Sequence, residues 1–318
     1  KKFEGSCISM KHVCGVDGSY IVESLLSIDV ICSTAVAVEG FFPPGKEPCL
    51  WNEPHHSFIF LCSHHTEGIS NVARSLMSMK EVDLAVNSPH SVVLLDGSAY
   101  TPFVMVSSGS SYLYQNVDVT DEIRILFVEA FRKFIEQYNE TISNSNPGKI
   151  YAYISKYVST KFLSDKFNLN KKIDDRTFAT KILEEGEFMI LEPGGVFSGR
   201  IQEPETGNLI DYSEFLSNIR TIFFRPKTEL PAIKIDVSKN IVQDPVRLGY
   251  LLSAIEYQCA SPSILEPYPL FLAHETARQV RQACIAAIEA ASLRTAEDLN
   301  ISEVETFMNF YSYRTEGG

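Results

Sequence analysis

The sequence predicts a single α/β domain over residues 1–318, with a mixed central sheet flanked by helices. Short apolar runs of strand length, such as residues 91–96, alternate with segments whose apolar side chains recur every three or four residues. One such segment, residues 121–138, predicts a strongly amphipathic helix between two strands. No linker, repeat or low-complexity tract divides the chain. We therefore expect one layered domain rather than two separate units.

The amino-terminal half contains most of the apolar strand candidates. Residues 12–39 are rich in Val, Ile and Ala and predict two strands joined near Ser19 and Tyr20, the second covering residues 25–38. Prolines and a glycine mark residues 41–56 as a loop. The other elements expected in this half are strands at 57–62 and 91–96, helices at 68–86 and 121–138, and a polar turn at 139–148.

The carboxyl-terminal half combines short strands with longer helices. Residues 193–212 are rich in Gly, Pro and acidic side chains and are interpreted as an insertion between strands 187–191 and 220–224. Two prolines precede residues 232–237, which predicts an edge strand. The remaining predictions are a strand at 150–155, two short helices within 156–185, and helices at 245–257, 271–291 and 302–311.

Composition and charge restrict the class of protein. The formal net charge of −12 argues against a surface coated with basic residues for non-specific nucleic-acid binding, but it is compatible with a DNA enzyme built on carboxylates. No apolar run reaches the ~18 residues of a membrane span. The seven cysteines are irregularly spaced without C-x-x-C, which predicts reduced core residues rather than a zinc module or disulfides. A cytoplasmic location is expected, and the sequence leaves open whether residues upstream of Lys1 are missing.

Two copies of one tripeptide carry the first functional hypothesis. Asp17-Gly18-Ser19 and Asp96-Gly97-Ser98 each follow an apolar run and are interpreted as strand ends. Open α/β folds place their chemistry at the carboxyl ends of strands, and glycine lets the chain turn and a ligand approach. Carboxylates from two neighbouring strands could share divalent cations, as in phosphodiester hydrolysis. Asp-Gly is also a common turn pair, but its repetition favours the site.

The order of several short segments resembles the NurA family of nucleases, over nearly the whole chain. No segment is specific alone, but their order along the chain matches. The segments are Val16–Ser19, 79–85, 95–98, 154–156, 175–187, Tyr268-Pro269-Leu270 and Ala273-His274-Glu275-Thr276-Ala277-Arg278.

The resemblance implies an RNase H-like core and a manganese-dependent nuclease that degrades DNA from 5′ ends, with Mg²⁺ as the alternative metal. It also implies a homodimer that works with the hexameric HerA translocase. The family's catalytic and metal-binding set corresponds here to Asp17, Glu81, Asp96 and His274. We expect the three carboxylates to hold the metal and His274 to complete the coordination or to move a proton.

Other site residues leave alternatives open. Asp83 lies two residues after Glu81, about 200° around a helix, so only one of them can face the metals. Lys156 is the expected catalytic and DNA-binding residue after its strand, with Tyr157 as the alternative. Arg278 lies one turn beyond His274 and could bind a phosphate or the carboxylates.

Two further groups of polar residues have competing interpretations. The segment 149–181 is enriched in basic residues and could follow a phosphate backbone or form a solvated helix face; its expected DNA-binding residues are Lys161, Lys166, Lys171 and Lys172. Asp175 is expected to cap a helix. The pairs His55-His56 and His64-His65 flank Cys62, but neighbouring residues on a strand face opposite ways, so a zinc site is not expected there.

The carboxylates and the resemblance to NurA together predict a metal-dependent deoxyribonuclease, which acts as a 5′-end-directed exonuclease, as an endonuclease or as both. The resemblance implies that it works with a HerA-type translocase in DNA repair or antiviral defence. One alternative is an RNase H-like nuclease acting on RNA or hybrids. A second is a non-catalytic adaptor of an ATPase complex, against which the three carboxylates argue.

Overall fold

The computed structural model of the chain describes residues 12–25, 28–42, 45–51, 55–116, 118–167, 173–192 and 199–298. Its strands are β1 (Val13–Ser24), β2 (Ile28–Glu39), β3 (His56–His64), β4 (Val92–Asp96), β5 (Ile150–Ser155), β6 (Phe188–Leu191), β7 (Arg200–Gln202), β8 (Leu209–Asp211), β9 (Ile219–Phe224) and β10 (Ile233–Ser238). Its helices are α1 (Ile69–Asn87), α2 (Thr101–Gln115), α3 (Asp121–Ser143), α4 (Phe162–Lys166), α5 (Asp175–Ile182), α6 (Ser213–Ser217), α7 (Lys239–Gln243), α8 (Pro245–Gln258) and α9 (Tyr268–Asp298).

The main sheet has the strand order β3-β2-β1-β4-β5-β10-β9-β6. Strands β1, β4 and β5 are parallel, and the other neighbouring pairs are antiparallel. The order β3-β2-β1-β4-β5, in which β2 runs opposite to its two neighbours, is that of an RNase H-like core. The predicted α/β fold with a mixed central sheet is therefore confirmed.

Each face of the sheet is covered by helices. Cys14 and Val16 of β1 belong to the apolar core that includes Leu76 of α1 and Phe127 of α3. Val13 belongs to the opposite core, with side chains of α8 and the start of α9. Because successive strand residues face opposite ways, β1 supplies both cores, which explains why apolar residues are adjacent at its start, at Val13 and Cys14.

The predicted junction near Ser19 and Tyr20 is wrong, because β1 continues to Ser24 and pairs with β2 along this whole length. Gly18 keeps an extended backbone inside the strand, opposite Ala35. A glycine permits a turn but does not require one, and here its small size serves the packing of α1.

The predicted edge position of residues 232–237 is also wrong. Strand β10 lies inside the sheet, between β5 and β9. The prolines that suggested an edge, Pro226 and Pro231, both precede the strand, so neither removes a donor from its ladder.

Residues 101–115 carry no predicted element, yet they form α2. Their serines and glycine are poor helix formers, which hides the helix in the sequence. Tertiary packing stabilises it: a Cβ on Gly109 would lie 2.1 Å from Ser75 Oγ of α1, so the glycine lets the two helices approach closely. Pro102 at the first turn is the sequence signal that marks its start.

Two other elements differ in extent from their predictions. Helix α3 continues through the predicted polar turn to Ser143, because Thr141 and Ile142 extend its buried face, and Asn144 ends it with a left-handed backbone (φ 49°). Its apolar face packs in the core, as predicted. The described part of the insertion, from residue 199 onward, forms the β7–β8 hairpin against α2.

Helix α9 extends beyond the predicted 271–291 at both ends. Its Cys284 lies 3.0 Å from Cys32 of β2 (Sγ to Sγ), one of the contacts that hold the helix on the sheet. The described cysteines are free, and most are buried, as predicted; Cys62 is exposed. No described helix is long and apolar enough to cross a membrane. The predicted helix 302–311 lies outside the described residues.

Candidate active site

Three parallel strands place three charged side chains on one face of the sheet. Val16 of β1 is paired with Leu95 of β4, so Asp17 lies beside Asp96. Asp96 in turn is paired with Ile154 of β5, and Lys156 follows two residues later. Alternation along each strand directs Asp17, Asp96 and Lys156 to the side that α9 covers. The two aspartates predicted from the repeated tripeptide therefore meet.

Only one of the two tripeptides ends a strand. Asp96 is the last residue of β4, and Gly97 takes a left-handed backbone (φ 91°) that only glycine adopts freely. Asp17, by contrast, lies inside β1, which corrects its interpretation as a strand end. Because β4 stops at Asp96 while β1 continues, Asp17 still lies at the carboxyl edge of the parallel strands.

Helix α9 brings His274 to this edge. Its Nδ1 lies 2.8 Å from Asp17 Oδ2. The approach depends on Gly15 of β1, because a Cβ there would lie 2.4 Å from the backbone of Pro269 and Leu270. The absence of a side chain lets the start of α9 lie directly on the strand, one helical turn before His274.

Glu81 comes from α1, on the other face of the sheet. Its carboxylate lies beside Gly18, where a Cβ would come within 2.6 Å of Glu81 Oε1 and of Met77 Cγ. Asp83 points elsewhere: its Oδ1 accepts hydrogen bonds from Lys133 Nζ (2.6 Å) and Gln137 Nε2 (2.9 Å). The structure therefore brings Glu81, and not Asp83, to the aspartates.

Lys156 lies among the carboxylates. Its Nζ is 3.4 Å from Asp96 Oδ2, 3.7 Å from Asp17 Oδ2 and 3.3 Å from Glu266 Oε2. Glu266, in the loop before α9, is a site residue that the sequence analysis missed; its only signal is its position next to the Tyr268–Leu270 segment. Tyr157, the alternative to Lys156, is 94% exposed and points into solvent.

The site carries an excess of negative charge, which the pKa values reflect. Burial, followed by the charge of Asp17, raises the pKa of Asp96 to about 6. Burial and both aspartates raise the pKa of Glu81 well above its usual range. Burial alone would lower the pKa of Lys156, but Asp96, Asp17 and Glu266 outweigh it and raise it. One ammonium among four carboxyl groups leaves a site that attracts further cations.

A buried network holds the turn after Asp96. Asp236 Oδ2 accepts hydrogen bonds from Ser98 Oγ (2.8 Å) and Lys234 Nζ (3.2 Å), and its Oδ1 accepts one from Thr221 Oγ1 (2.7 Å). Asp236 is fully buried. It was missed in the sequence, although an aspartate within an apolar strand is itself a signal, since buried carboxylates are rare unless paired.

The donor set fits a divalent cation. One ligand atom each from Asp17, Asp96 and His274 lie within 4.8 Å of one another. Asp96 Oδ1 is buried and has no hydrogen-bond partner, a costly arrangement that a bound cation would relieve. Carboxylate oxygens with one imidazole suit Mn²⁺ or Mg²⁺ better than a thiophilic metal. Glu81 adds a further carboxylate next to this group.

The geometry predicts different effects for the two acids of α1. Glu81→Gln should reduce metal-dependent cleavage of DNA by about 10²-fold or more, because it removes a charge next to the cation site. Asp83→Asn should leave the cleavage rate within about two-fold, since its carboxylate contacts Lys133 and Gln137 instead. Single-turnover cleavage of labelled DNA measures both. Loss of activity in Asp83→Asn with Glu81→Gln active would exchange their roles.

The raised pKa of Asp96 predicts a pH-dependent effect on stability in the metal-free protein. The folded state binds the Asp96 proton more tightly than the unfolded state, so the free energy of unfolding falls as pH rises from about 4 to about 6. Asp96→Asn should therefore stabilise the protein at pH 7.5, on the order of 1 kcal/mol, and much less at pH 4.5. Urea unfolding with a chelator measures this difference.

Asp83→Asn is the control, because its expected effect on stability at pH 7.5 is opposite to that of Asp96→Asn. Burial would raise the pKa of Asp83, but hydrogen bonds from Lys133 and Gln137 lower it below the ordinary value. Its ionised form therefore stabilises the fold above the unfolded pKa, and this variant should be less stable than wild type at pH 7.5. If both variants shift stability in the same direction at pH 7.5, the charge distribution described above is wrong.

Of the other predicted DNA-binding residues, the structure describes Lys161, Lys166 and Arg278. Lys161 and Lys166 are exposed around α4, and Lys171 and Lys172 lie outside the described residues. Arg278 is paired with Glu275 (2.6 Å) rather than with the site carboxylates. Their contact with DNA stays a prediction.

Asp175 caps a helix other than the one it begins. Its Oδ1 accepts from the Leu163 backbone N of α4 (2.7 Å), while Asp174 caps α5 through the Thr177 backbone N (2.8 Å). The histidines around Cys62 do not converge: His65 pairs with Asp29 (2.8 Å), and the metal-type clusters among the described residues include none of them.

Comparison with known proteins identifies the fold. No protein-family model and no curated protein matches the sequence. The structure is similar to the crystal structure of the NurA nuclease from Sulfolobus solfataricus, with a TM-score of 0.51 and 18% identity over 89% of this chain and 84% of that one. The chain has the NurA fold. A second NurA crystal structure gives a TM-score of 0.53 at 15% identity, covering 88% of each chain.

A NurA crystal structure with manganese is also similar, with a TM-score of 0.50 at 14% identity over 88% of this chain and 89% of that one. The predicted resemblance to NurA over nearly the whole chain is thus confirmed for the fold. At this level of identity the comparison transfers the NurA architecture, and the roles of individual residues depend on the geometry of this chain.

Proposed function

We propose that this chain is a divalent-metal-dependent nuclease that cleaves DNA, with Mn²⁺ or Mg²⁺ as cofactor. The observation that carries the proposal is the convergence of Asp17, Asp96 and His274, whose ligand atoms lie within 4.8 Å of one another. The NurA fold supports it, and so does the existence of a NurA structure with manganese. A non-catalytic adaptor would have no need for such a costly cluster of like charges.

The chemistry of each side chain at the site suggests a different role in cleavage. Asp17, Asp96 and Glu81 would hold the cation, with His274 as a fourth ligand or a proton carrier. When bound, a divalent cation lowers the pKa of water to make a nucleophile and offsets charge on the phosphate. Asp17 Oδ2, 2.8 Å from His274 Nδ1, orients the imidazole ring. The other ring nitrogen is then free to take or deliver a proton, because His274 is half-exposed.

Lys156 has two roles in succession. In the metal-free site its ammonium neutralises the aspartates. With a cation held by these carboxylates, the Lys156 ammonium would no longer be needed as their counter-charge and would be available to contact the non-bridging or leaving oxygen of the phosphate. Glu266, 3.3 Å from its Nζ, would keep the side chain positioned during this exchange.

The test is a digestion assay with labelled DNA, RNA and DNA–RNA hybrid, in the presence of Mn²⁺, Mg²⁺ or a chelator. We expect cleavage of DNA with either metal, Mn²⁺ being the more effective, and none with the chelator. Preferential cleavage of RNA or hybrid would favour the RNase H-like alternative. Absence of cleavage for every substrate, with and without an ATPase partner, would favour the adaptor.

We further propose that the protein acts as a homodimer with a hexameric HerA-type ATPase, from the 5′ ends of DNA in repair or in antiviral defence. The net charge of −12 supports a need for a partner, since the chain alone can neutralise few phosphates. The isolated protein should therefore degrade long duplexes slowly, and ATP-dependent degradation should be at least about ten-fold faster with the translocase. Equal rates would overturn the dependence on a partner and leave the nuclease intact.

The basic segment predicts a separable effect on DNA binding. Reversing Lys161 and Lys166 to Glu should weaken DNA binding and reduce the slope of log affinity against log salt by about 2, because each duplex phosphate contact releases ~0.9 counterions. Adding the reversals at Lys171 and Lys172 should enlarge the effect. Metal binding should be unchanged, and Lys46→Glu, at an exposed position outside the segment, is the control. An unchanged salt slope would assign these lysines to a solvated face.

A further inference from the structure

A second cluster of metal-ligand type lies at the beginning of β1, five residues before Asp17. Ligand atoms of His12, Glu39 and Cys49 lie within 4.8 Å of one another. His90 lies beside this group without belonging to it: its Nε2 is 3.1 Å from Glu39 Oε1. His12 precedes Asp17 by five residues, so at the rise of a strand the cluster is about 16 Å from the candidate active site.

Four separate segments meet at this cluster. His12 lies just before β1, and Glu39 is the last residue of β2. Cys49 follows in the segment after β2, and its backbone N donates to Glu39 Oε1 (3.2 Å). His90 lies in the connection between α1 and β4. An ion bound here would link the beginning of β1 to the end of β2, to the segment after β2 and to the connection between α1 and β4.

His90 has a ring nitrogen whose contact is poorly aligned. Its side chain is fully buried, and Nε2 lies 3.1 Å from Glu39 Oε1 without the alignment of a good hydrogen bond. Its other nitrogen, Nδ1, is 2.8 Å from Ser88 Oγ, which is also 3.2 Å from Cys14 Sγ. The hydroxyl thus fixes the ring so that Nε2 is aimed at Glu39, as outer partners orient histidines that bind metals.

Two separations, both to Glu39 Oε1, agree with a tetrahedral site, which His90 would complete by moving towards His12 and Cys49. Bonds of about 2.0–2.1 Å from Zn²⁺ to nitrogen and oxygen place ligand atoms about 3.3 Å apart at tetrahedral angles. The observed separations are 3.0 Å from His12 Nδ1 to Glu39 Oε1 and 3.1 Å from His90 Nε2 to the same oxygen. Small movements would therefore admit an ion between these groups.

From this geometry we propose that His12, Glu39, Cys49 and His90 form a structural Zn²⁺ site. Two neutral imidazoles, one carboxylate and one thiolate would give Zn²⁺ four ligands and no net charge, which suits a largely buried position. Binding would release the thiol proton of Cys49 to solvent, because the thiolate is the ligand. With four protein ligands the site is closed, as structural zinc sites are.

The two clusters would select different metals. A thiolate with imidazoles favours Zn²⁺, whereas the carboxylates around Asp17 favour Mn²⁺ or Mg²⁺. Trp51, the one tryptophan of the sequence, covers the proposed zinc site, with its ring 4.9 Å from that of His90. Its fluorescence should therefore report binding at this cluster directly.

The test uses the full chain, stripped with a chelator and titrated with Zn²⁺ or Co²⁺. Asp96→Asn serves as the background, so that binding at the carboxylate site is weakened. We expect one equivalent per chain, a change in Trp51 fluorescence, and with Co²⁺ the charge-transfer absorption of a thiolate ligand. Zn²⁺ should also raise the unfolding temperature of this background.

Variants locate the site. Cys49→Ser should abolish the charge-transfer band and weaken Zn²⁺ binding by at least about 100-fold, since even outer partners of a metal site contribute 10–100-fold. Ser88→Ala should weaken binding by about ten-fold through His90. Cys62→Ser, which removes an exposed cysteine from β3, should change neither signal.

Two results would overturn the proposal. One is the absence of a thiolate–cobalt band and of Zn²⁺ binding in the Asp96→Asn background. The other is Zn²⁺ binding that Cys49→Ser and His12→Gln leave unchanged. Either result would make the cluster a hydrogen-bonded polar network.

Discussion

Asp17→Ala and Asp96→Ala, made separately, should each reduce metal-dependent DNA cleavage by at least about 10³-fold. Both carboxylates contribute to the group of ligand atoms within 4.8 Å, so the loss of either should prevent productive metal binding. The measurement is single-turnover cleavage with Mn²⁺ over a range of metal concentrations, since a partly retained site would show activity only at high metal.

Stability separates this loss from misfolding. Both variants remove one charge from a repulsive cluster, so the metal-free proteins should unfold at the wild-type temperature or above it. Asp211→Ala, at an exposed acid of the β7–β8 hairpin, should cleave DNA normally. Wild-type cleavage by either site variant would place the chemistry elsewhere in the molecule.

Gly15→Ala should be among the most destabilising single substitutions in the chain. The added Cβ would lie 2.4 Å from backbone atoms of Pro269 and Leu270, which cannot rotate away as a side chain could. Helix α9 must therefore move from β1, at a cost of about 3 kcal/mol or more. For a chain of this size we expect the unfolding temperature to fall by at least about 5 °C.

The same substitution should impair cleavage in the fraction that remains folded, because α9 carries His274 to Asp17. Gly148→Ala is the matched control: its Cβ would meet a single side-chain atom at 3.4 Å, an ordinary contact. It should leave both stability and cleavage unchanged. If Gly15→Ala behaves like this control, the close approach of α9 to β1 is not what positions His274.

Local patterns in the sequence predicted most elements and several candidate site residues. The apolar run that ends at Asp96 is readable because a short buried strand has a distinctive composition, and the left-handed Gly97 ends it. The order of short segments indicated the NurA resemblance, which the structure confirms for the fold. The periodicity of α3 likewise predicted its buried face.

The predictions that were wrong concern features that depend on a neighbouring strand or helix. Gly18 stays extended within β1, where α1 packs against it. Strand β10 is internal because β9 pairs with its outer side. Helix α2 is stabilised mainly by its contact with α1, so its own residues give a weak signal. Propensity describes one segment at a time, and these outcomes depend on two.

The sequence by itself determined the residue types of this protein's chemistry: aspartates after apolar runs, a histidine near a proline, and a lysine after a strand. Only the tertiary structure decided which of them meet. The register of β1, β4 and β5 places Asp17 beside Asp96, and helix packing through Gly15 and Gly18 adds His274 and Glu81. Glu266 lies next to Lys156, and the cluster around Glu39 includes His12 and Cys49; in both cases the residues are distant along the chain. Such contacts depend on the burial of whole faces, which no short window of sequence contains.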